Sequence, residues 1–457
     1  MFAHTSTPTP RCWAIVLSFC LSNGYAQNSP ILEAYIQSGI SNNLSIQGQA
    51  LEIQKAQQSA RQSKAMSKLK LAFDANYTLA AGGRKLDFPI GDLLNPVYGT
   101  LNQLTQSNNF PFVENTAIQF LPNNFHETKI SFAYPLYNTD LKFNRTIQGQ
   151  LLDSKTALKS AEEQVLRYDI TRAYLQYMQS LEAEKVWQNT RTVLLELLRF
   201  NESLVKNNVA TKDVVATAEY ELSKVENEIF SYQTKQSSAR AYFNYLLNAD
   251  LQNPIEADSN LLQAIIPKYD LPVLIQETLE RRQELSAIES MLAASASNVR
   301  RNEVKQRLPD FYLGGSLGFQ GFGYKFNKEQ AYALGQVGLS YSLYDAGLQK
   351  SKTQETRLDN QLANNQLQQV RRQMALEVTA AWNELEAARF AYQSAQKNVE
   401  AAKSIFRIVN NKYRAGQLLL LEFLDAQNRV TSAELQQLLS WAEILLKEAV
   451  LKKAAGI

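Results

Sequence analysis

Residues 134–138, Tyr-Pro-Leu-Tyr-Asn, recur at positions 341–345 as Tyr-Ser-Leu-Tyr-Asp. Each copy ends a segment in which apolar and polar residues alternate, and each is followed by a long stretch rich in Ala, Gln and Glu. These stretches also break at matching places, because residues 205–208 align without a gap with residues 413–416. A duplicated element of this size predicts two internal repeats. We place the first repeat at residues 27–270 and the second at residues 271–457.

The amino-terminal residues have the pattern of a secretory signal peptide. Arg11 precedes an apolar run that begins at Cys12, and small residues lead up to Ala26. We therefore expect residues 1–26 to be the signal peptide, with cleavage after Ala26. Both cysteines, Cys12 and Cys20, then lie within it, which leaves no disulfide or Cys-based metal site in the mature chain. Lipid attachment at Cys20 is an alternative.

Composition argues against an enzyme and against a nucleic-acid-binding protein. The formal net charge of the 457-residue chain is +3, and His126 is the only histidine after the signal peptide. The sequence therefore lacks the histidines that a His-based catalytic cluster needs and the excess of basic residues that a nucleic-acid-binding surface needs. We expect no catalytic residue, no cofactor and no metal site.

Four segments alternate with period two and predict strands near residues 69–80, 128–138, 309–319 and 336–345. Each is about as long as the roughly 9–11 residues that a tilted strand needs to cross a bilayer. A soluble sheet packed on a helix is the more common use of such a pattern. The signal peptide and the aromatic residues along the strands favour the membrane. Four strands cannot close a barrel, so we expect at least two copies to assemble.

The connection between the first two strands is unusually long. Residues 82–125 contain four prolines and several asparagines, whereas the connection from 318 to 335 is short and rich in glycine. Long loops of membrane barrels usually face outward. We expect residues 82–125 to form an extracellular cap or plug.

Long helices are predicted at residues 141–206 and 348–414, each about 100 Å in length at 1.5 Å per residue. Helices of this length require coiled-coil packing. Tight turns follow at Asn207-Asn208 and at Gly416, and shorter return helices are expected at residues 213–247 and 418–453. Single helices at 31–68 and 272–307 would complete the packing, with an irregular belt at 248–270.

Over its whole mature length the chain resembles the TolC-like family of outer-membrane efflux ducts, the outer-membrane factors of tripartite export systems. The resemblance is most specific at Tyr413-Arg414-Ala415-Gly416 and at Leu424-Asp425-Ala426-Gln427. It is also seen at the strand-to-helix transition in residues 342–347. The resemblance implies a mixed fold, in which a homotrimer forms a 12-stranded transmembrane β-barrel and a 12-helix coiled-coil tunnel through the periplasm. It also implies docking onto a periplasmic adaptor protein and an inner-membrane pump.

The resemblance also implies functional residues at the end of the tunnel. Glu422 and Asp425 match the acidic positions that ring the tunnel entrance, and their i, i+3 spacing puts both carboxylates on one helix face. Such a ring attracts cations. The alternative is a pair of solvated acidic residues near a helix start, where the helix dipole favours them.

Tyr413 matches a tyrosine that helps to latch the closed entrance. The family's arginine partner is Leu418 here, and the matching aspartate position is Val214, which argues against the same ionic latch. The adaptor contact would fall on the two hairpin tips, at Asn207, Asn208, Ala415 and Gly416.

Together with the resemblance, these observations predict the passive outer-membrane duct of a tripartite efflux or type I secretion system, which exports small molecules or proteins from a pump and an adaptor across the periplasm and the outer membrane. The alternative is a periplasmic or surface coiled-coil scaffold without transport activity.

Overall fold

The computed structural model describes residues 29–258, 261 and 266–457. The predicted signal peptide, with Cys12 and Cys20, lies outside the described residues. Among the residues that are described, no helix is both long and apolar enough to cross a membrane.

The described chain consists of long helices and a small number of strands. The elements of the first part are α1 (Pro30–Asn42), α2 (Leu44–Ala65), β1 (Lys70–Thr78), β2 (Lys85–Phe88), α3 (Ile90–Thr105), β3 (Thr116–Gln119), β4 (Phe125–Tyr137), α4 (Thr139–Lys206) and α5 (Asp213–Leu246). Those of the second part are α6 (Leu271–Arg281), α7 (Gln283–Lys305), β5 (Asp310–Phe322), β6 (Ala331–Ser340), α8 (Leu348–Arg414) and α9 (Leu420–Ala455).

Two compact units divide the chain. The helical unit comprises the described residues up to Ala50 together with Ala157–Leu285 and Gln369–Ile457. The sheet unit comprises Leu51–Thr156 and Ser286–Gln368. Each unit draws on residues of both predicted repeats, 27–270 and 271–457, whose boundaries stay a prediction.

The sheet unit is built on four antiparallel strands in the order β1-β4-β5-β6. Ile130 pairs with Phe73 on one side and with Leu317 on the other, while Lys129 pairs with Asp74. Because all four strands alternate in phase, their apolar side chains share one face and most polar side chains share the other. Within the described chain, the outer edges of β1 and β6 pair with no further strand.

The predicted position of the fourth strand, 336–345, was wrong at its end. The strand begins earlier, at Ala331, and stops at Ser340. The chain then leaves the sheet, and Asp345 caps the start of α8. Its carboxylate accepts the backbone N–H of Gly347 at 3.1 Å and that of Gln349 at 2.9 Å. Acceptors of this kind satisfy N–H groups that have no partner at the start of a helix.

The corresponding transition before α4 uses the same chemistry. Asn138 Oδ1 accepts the backbone N–H of Leu141 at 2.9 Å. Asp310 Oδ1 adds a bond from the N–H of Thr139 at 3.1 Å. The Asn and Asp that end the recurring Tyr-Leu-Tyr stretches are therefore both placed to begin a long helix.

The single helices predicted at 31–68 and 272–307 are each broken in two. Asn43 and Arg282 have extended backbone conformations at the breaks. The Asn43 side chain donates to the carbonyl of Leu246 at 3.0 Å and accepts from Ser45 N at 2.9 Å, which stabilises its interruption. Neither break contains a glycine or proline, so tertiary hydrogen bonds replace the usual local signal.

The helical unit has its core between the long helices. Ile170, Tyr174 and Phe243 are fully buried in one cluster, and Leu385 and Val378 are fully buried in another. A stripe of α8 side chains with three-four spacing is buried or half-buried at every position: Leu385, Ala388, Tyr392, Ala395, Val399, Ala402, Phe406, Val409 and Tyr413. That stripe is therefore the packing face of α8, as coiled-coil spacing requires.

The irregular segment after α5 is attached to this core by Tyr174. The Tyr174 hydroxyl donates to the carbonyl of Glu256 and accepts the N–H of Asp258, both at 2.9 Å. Burial raises the pKa of Tyr174 to about 12, so the hydroxyl keeps its proton at neutral pH.

Candidate entrance site at the helix hairpin tips

The two hairpin tips have matching backbone geometry. Asn208 after α4 and Gly416 after α8 both lie in the left-handed region, with φ of 56° and 72°. In each tip the next residue donates its N–H five residues back, at 2.9 Å, from Val209 to Leu204 and from Gln417 to Lys412. This is the Schellman motif, which favours Gly and then Asn at the left-handed position. The turns were correctly predicted from these two residues.

The proposed adaptor-contact residues lie on the surface of these turns. Asn207, Asn208, Ala415 and Gly416 are all exposed. Their exposure is compatible with a contact to another protein, and their conformations are fully explained by the helix ends.

Tyr413, the residue matched to the entrance latch, is buried and bonded within the chain. Its hydroxyl donates to Asn201 Oδ1 at 2.7 Å, and Asn201 Nδ2 donates to the carbonyl of Val214 at 3.2 Å. Asn201 has no exposed surface. The three residues come from α8, α4 and the start of α5, so one buried amide joins three helices just before the tips. We call this set the Asn201 clasp.

The clasp is uncharged. Burial raises the pKa of Tyr413, and the bond to Asn201 only partly offsets this, so the phenol remains a donor at neutral pH. Val214 contributes only its backbone carbonyl. The neighbouring Asp213 carboxylate accepts a hydrogen bond from the Thr211 hydroxyl and is exposed.

The role of Asn201 was not predicted from the sequence. Its hydrogen-bond partner, Tyr413, is 212 positions away in the chain. The pairing therefore needed the folded helices.

Glu422 and Asp425 lie near the start of α9, and both are exposed. The intervening Phe423 and Leu424 are buried against Tyr413 and its neighbours. This alternation fixes the two carboxylates on the outer side of the helix. Asp425 also accepts from Arg429 at 2.9 Å, one helical turn later. That i, i+4 partner offsets part of the negative charge and was not anticipated.

A small cavity of about 100 Å³ lies beside the clasp. Phe200, Phe406 and Phe423 contribute apolar lining. Arg414 and Glu196, which approach to 3.4 Å, lie at its polar side.

Comparisons with known proteins identify the family of the carboxy-terminal part of the chain. Residues 274–457 match the family model of the outer membrane efflux protein. These residues belong to the outer membrane efflux protein family. On this basis the chain is a protein of the outer membrane that extends into the periplasm.

A curated relative from this group is the pyoverdine export outer membrane protein OpmQ of Pseudomonas putida. It is 27% identical over 187 residues, which are 39% of this chain and 38% of OpmQ. The alignment therefore spans well under half of that relative's length.

Solved channel structures extend the similarity in fold to nearly the whole chain. The crystal structure of CusC has a TM-score of 0.78 at 14% identity and covers 93% of this chain and 92% of its own. The open-state MtrE outer membrane channel of Neisseria gonorrhoeae has a TM-score of 0.75 at 17% identity, with coverage of 93% and 89%. At these identities the comparison establishes a shared fold.

Proposed function

We propose that this chain is the passive outer-membrane duct of a tripartite efflux or type I secretion system. The observation that carries the proposal is the four-stranded sheet, which has one apolar face and two edges without a strand partner in the described chain. An unpaired edge in lipid leaves backbone groups without hydrogen bonds, at a cost of several kcal/mol each. A barrel shared between copies removes both edges.

The strand count favours three copies. Membrane barrels begin at about eight strands, so two copies of this four-stranded sheet are the minimum. Three copies of four strands give the 12-stranded barrel that the family resemblance implies. The exposed apolar side chains of the sheet, including Leu71, Phe73 and Val337, then face the lipid.

The hairpin tips support an entrance that selects by charge. In a trimer, Glu422 and Asp425 of each chain would form a ring of six carboxylates, and such a ring attracts cations. The exposed tip residues Asn207, Asn208, Ala415 and Gly416 would contact the periplasmic adaptor, which in turn connects to the inner-membrane pump.

The cargo class proposed here is small molecules or proteins. OpmQ, which aligns with part of this chain, is named for the export of pyoverdine. Transport needs no chemistry by the chain itself, since the energy is supplied by the pump.

Planar-bilayer recording tests the proposal against the scaffold alternative. The purified chain, extracted with detergent, should insert and give discrete, ion-conducting steps. A protein that dissolves without detergent and never conducts would be a scaffold, and the duct would have to be abandoned.

A further inference from the structure

The connection between β1 and β4 folds as a small subdomain, residues 79–124, which we call the insert. In it β2 pairs antiparallel with β3, from Lys85 with Gln119 to Phe88 with Thr116, and α3 lies between these strands in the sequence. The insert leaves the sheet at the ends of β1 and β4 that are opposite to the ends joined to α2 and α4. In the proposed duct this is the extracellular end.

Helix α3 uses its polar face to hold the rest of the insert. Asn95 makes two bonds to Val113, donating to its carbonyl at 2.9 Å and accepting its N–H at 2.8 Å. Asn102 does the same with Phe110, at 2.8 and 3.1 Å. The two asparagines are seven residues apart and therefore lie on one side of the helix. The returning segment 110–113 is thus attached to the polar side of α3.

Most aliphatic side chains of α3 are left on the surface, although Leu101 is half-buried. Val97 and Leu104 are 52% and 77% exposed. They belong to a stripe with four-three-four-three spacing, which we call the α3 seam: Ile90, Leu94, Val97, Leu101 and Leu104. A repeat of 3.5 residues is the pattern by which helices pack against other helices in coiled coils. The insert therefore carries a helix-packing face that has no helix on it among the described residues.

The charge of α3 disfavours a lipid surface as the occupant. The helix contains Asp92 and no Lys or Arg. Helices that lie in a membrane interface typically carry Lys and Arg on their polar face, and attraction to anionic lipids strengthens their binding. A carboxylate and five apolar side chains fit a protein partner better.

A second copy of the chain is the partner that the sheet already requires. The insert begins at the end of β1, an edge strand that must pair with a neighbouring copy if the barrel is to close. Barrel assembly therefore brings one α3 from each copy to the same end. Because each α3 is tethered to the barrel, the effective concentration of one α3 near the next is high. A 16-residue helix benefits from this, since an isolated helix of that length is only marginally stable.

We propose that the α3 helices of neighbouring copies pack against one another through the α3 seam and form a helical cap at the extracellular end of the assembled barrel. This inference rests on the proposed function, since it requires the barrel to be shared between copies.

Disulfide trapping in isolated outer membranes tests the cap. Val97→Cys and, separately, Leu104→Cys should shift from monomer to dimer mass on a non-reducing gel after mild oxidation. Gln103→Cys is the matched control, because Gln103 is exposed on α3 but lies outside the seam. It should stay monomeric. The parent chain should also stay monomeric, because its two cysteines, Cys12 and Cys20, lie in the predicted signal peptide.

The oligomer mass of the same samples in detergent separates the two levels of the proposal. An oligomer in which neither seam cysteine forms a cross-link would overturn the cap and leave the duct standing. A monomer would overturn both. A fluorophore on Val97→Cys gives a further check: quenching by lipid-borne quenchers in reconstituted vesicles would show that lipid covers the seam, and would also overturn the cap.

Discussion

At the residue scale, one buried amide joins three helices just before the hairpin tips. The Asn201 side chain accepts a hydrogen bond from the Tyr413 hydroxyl and donates one to the carbonyl of Val214, and it has no exposed surface. Removing one partner of a buried hydrogen bond costs about 1–3 kcal/mol, whereas removing both partners can be nearly neutral. The clasp is therefore suited to a double-mutant experiment.

We expect Asn201→Ala to lower the free energy of unfolding by about 1–3 kcal/mol, since it leaves the buried Tyr413 hydroxyl without its acceptor. Tyr413→Phe removes one bond and should cost less. The two changes together should cost less than their sum, because they act on one contact. Thermal unfolding in detergent measures all three variants. Strict additivity would contradict the coupling.

Glu33 offers a test by pH. A salt bridge joins it to Arg167 at 2.7 Å, and the hydrogen bond from Arg167 holds the pKa of Glu33 below its usual 4.5 although burial opposes this. Because the folded-state pKa is the lower one, this pair stabilises the fold above the unfolded-state pKa, and the stabilisation is lost as pH falls through the folded-state pKa.

Glu33→Gln should therefore lower the unfolding temperature at neutral pH, and its deficit relative to the parent should shrink on acidification from about pH 7 to pH 3. Glu52→Gln is a control, since its carboxylate is half exposed and its nearest Lys atom is 3.5 Å away. A deficit that is the same at every pH would contradict the salt bridge.

At the element scale, helix ends were predictable where local chemistry sets them. The second long helix was expected at residues 348–414, and α8 has these bounds because its interior contains no glycine or proline and Gly416 follows it. The breaks at Asn43 and Arg282 were missed because they depend on partners far away in the sequence. The end of the fourth strand was missed because an alternating pattern continues past Ser340 into the segment that leads to α8.

Arg282 tests the break between α6 and α7. Its guanidinium is nearly buried and bonds Glu284 at 2.7 Å and Glu377 at 3.0 Å. We expect Arg282→Ala to destabilise the fold toward the lower end of the roughly 3–5 kcal/mol seen for broken buried pairs, because both carboxylates are partly exposed. Arg282→Lys should lose less. Unfolding in urea measures both, and equal stability of all three proteins would refute this role.

At the scale of the whole molecule, Glu422 and Asp425 are expected to set ion selectivity. Replacing both with Ala should reduce the preference for cations in planar bilayers, while Arg429→Ala should increase it by removing the cation beside Asp425. Glu219→Ala, an exposed carboxylate on the other hairpin, is the control. Unchanged reversal potentials in the first two variants would exclude the acidic ring.

The order of the long helices and of the four strands of the main sheet was predicted from the sequence, because hydrophobic periodicity is a local property. The assembly of more than one copy stays a prediction. The clasp and the folded insert were not predicted, because they depend on residues that meet only after the chain folds. The Asp425–Arg429 pair was also missed, although its i, i+4 spacing on one helix is visible in the sequence.

The central claim is that each chain contributes four strands to a barrel built from several copies. Native mass measurement of the detergent-solubilised protein tests this most directly. We expect a single species with the mass of three chains that dissociates only on heating. A monomer that remains soluble and folded after the detergent is removed would contradict the claim.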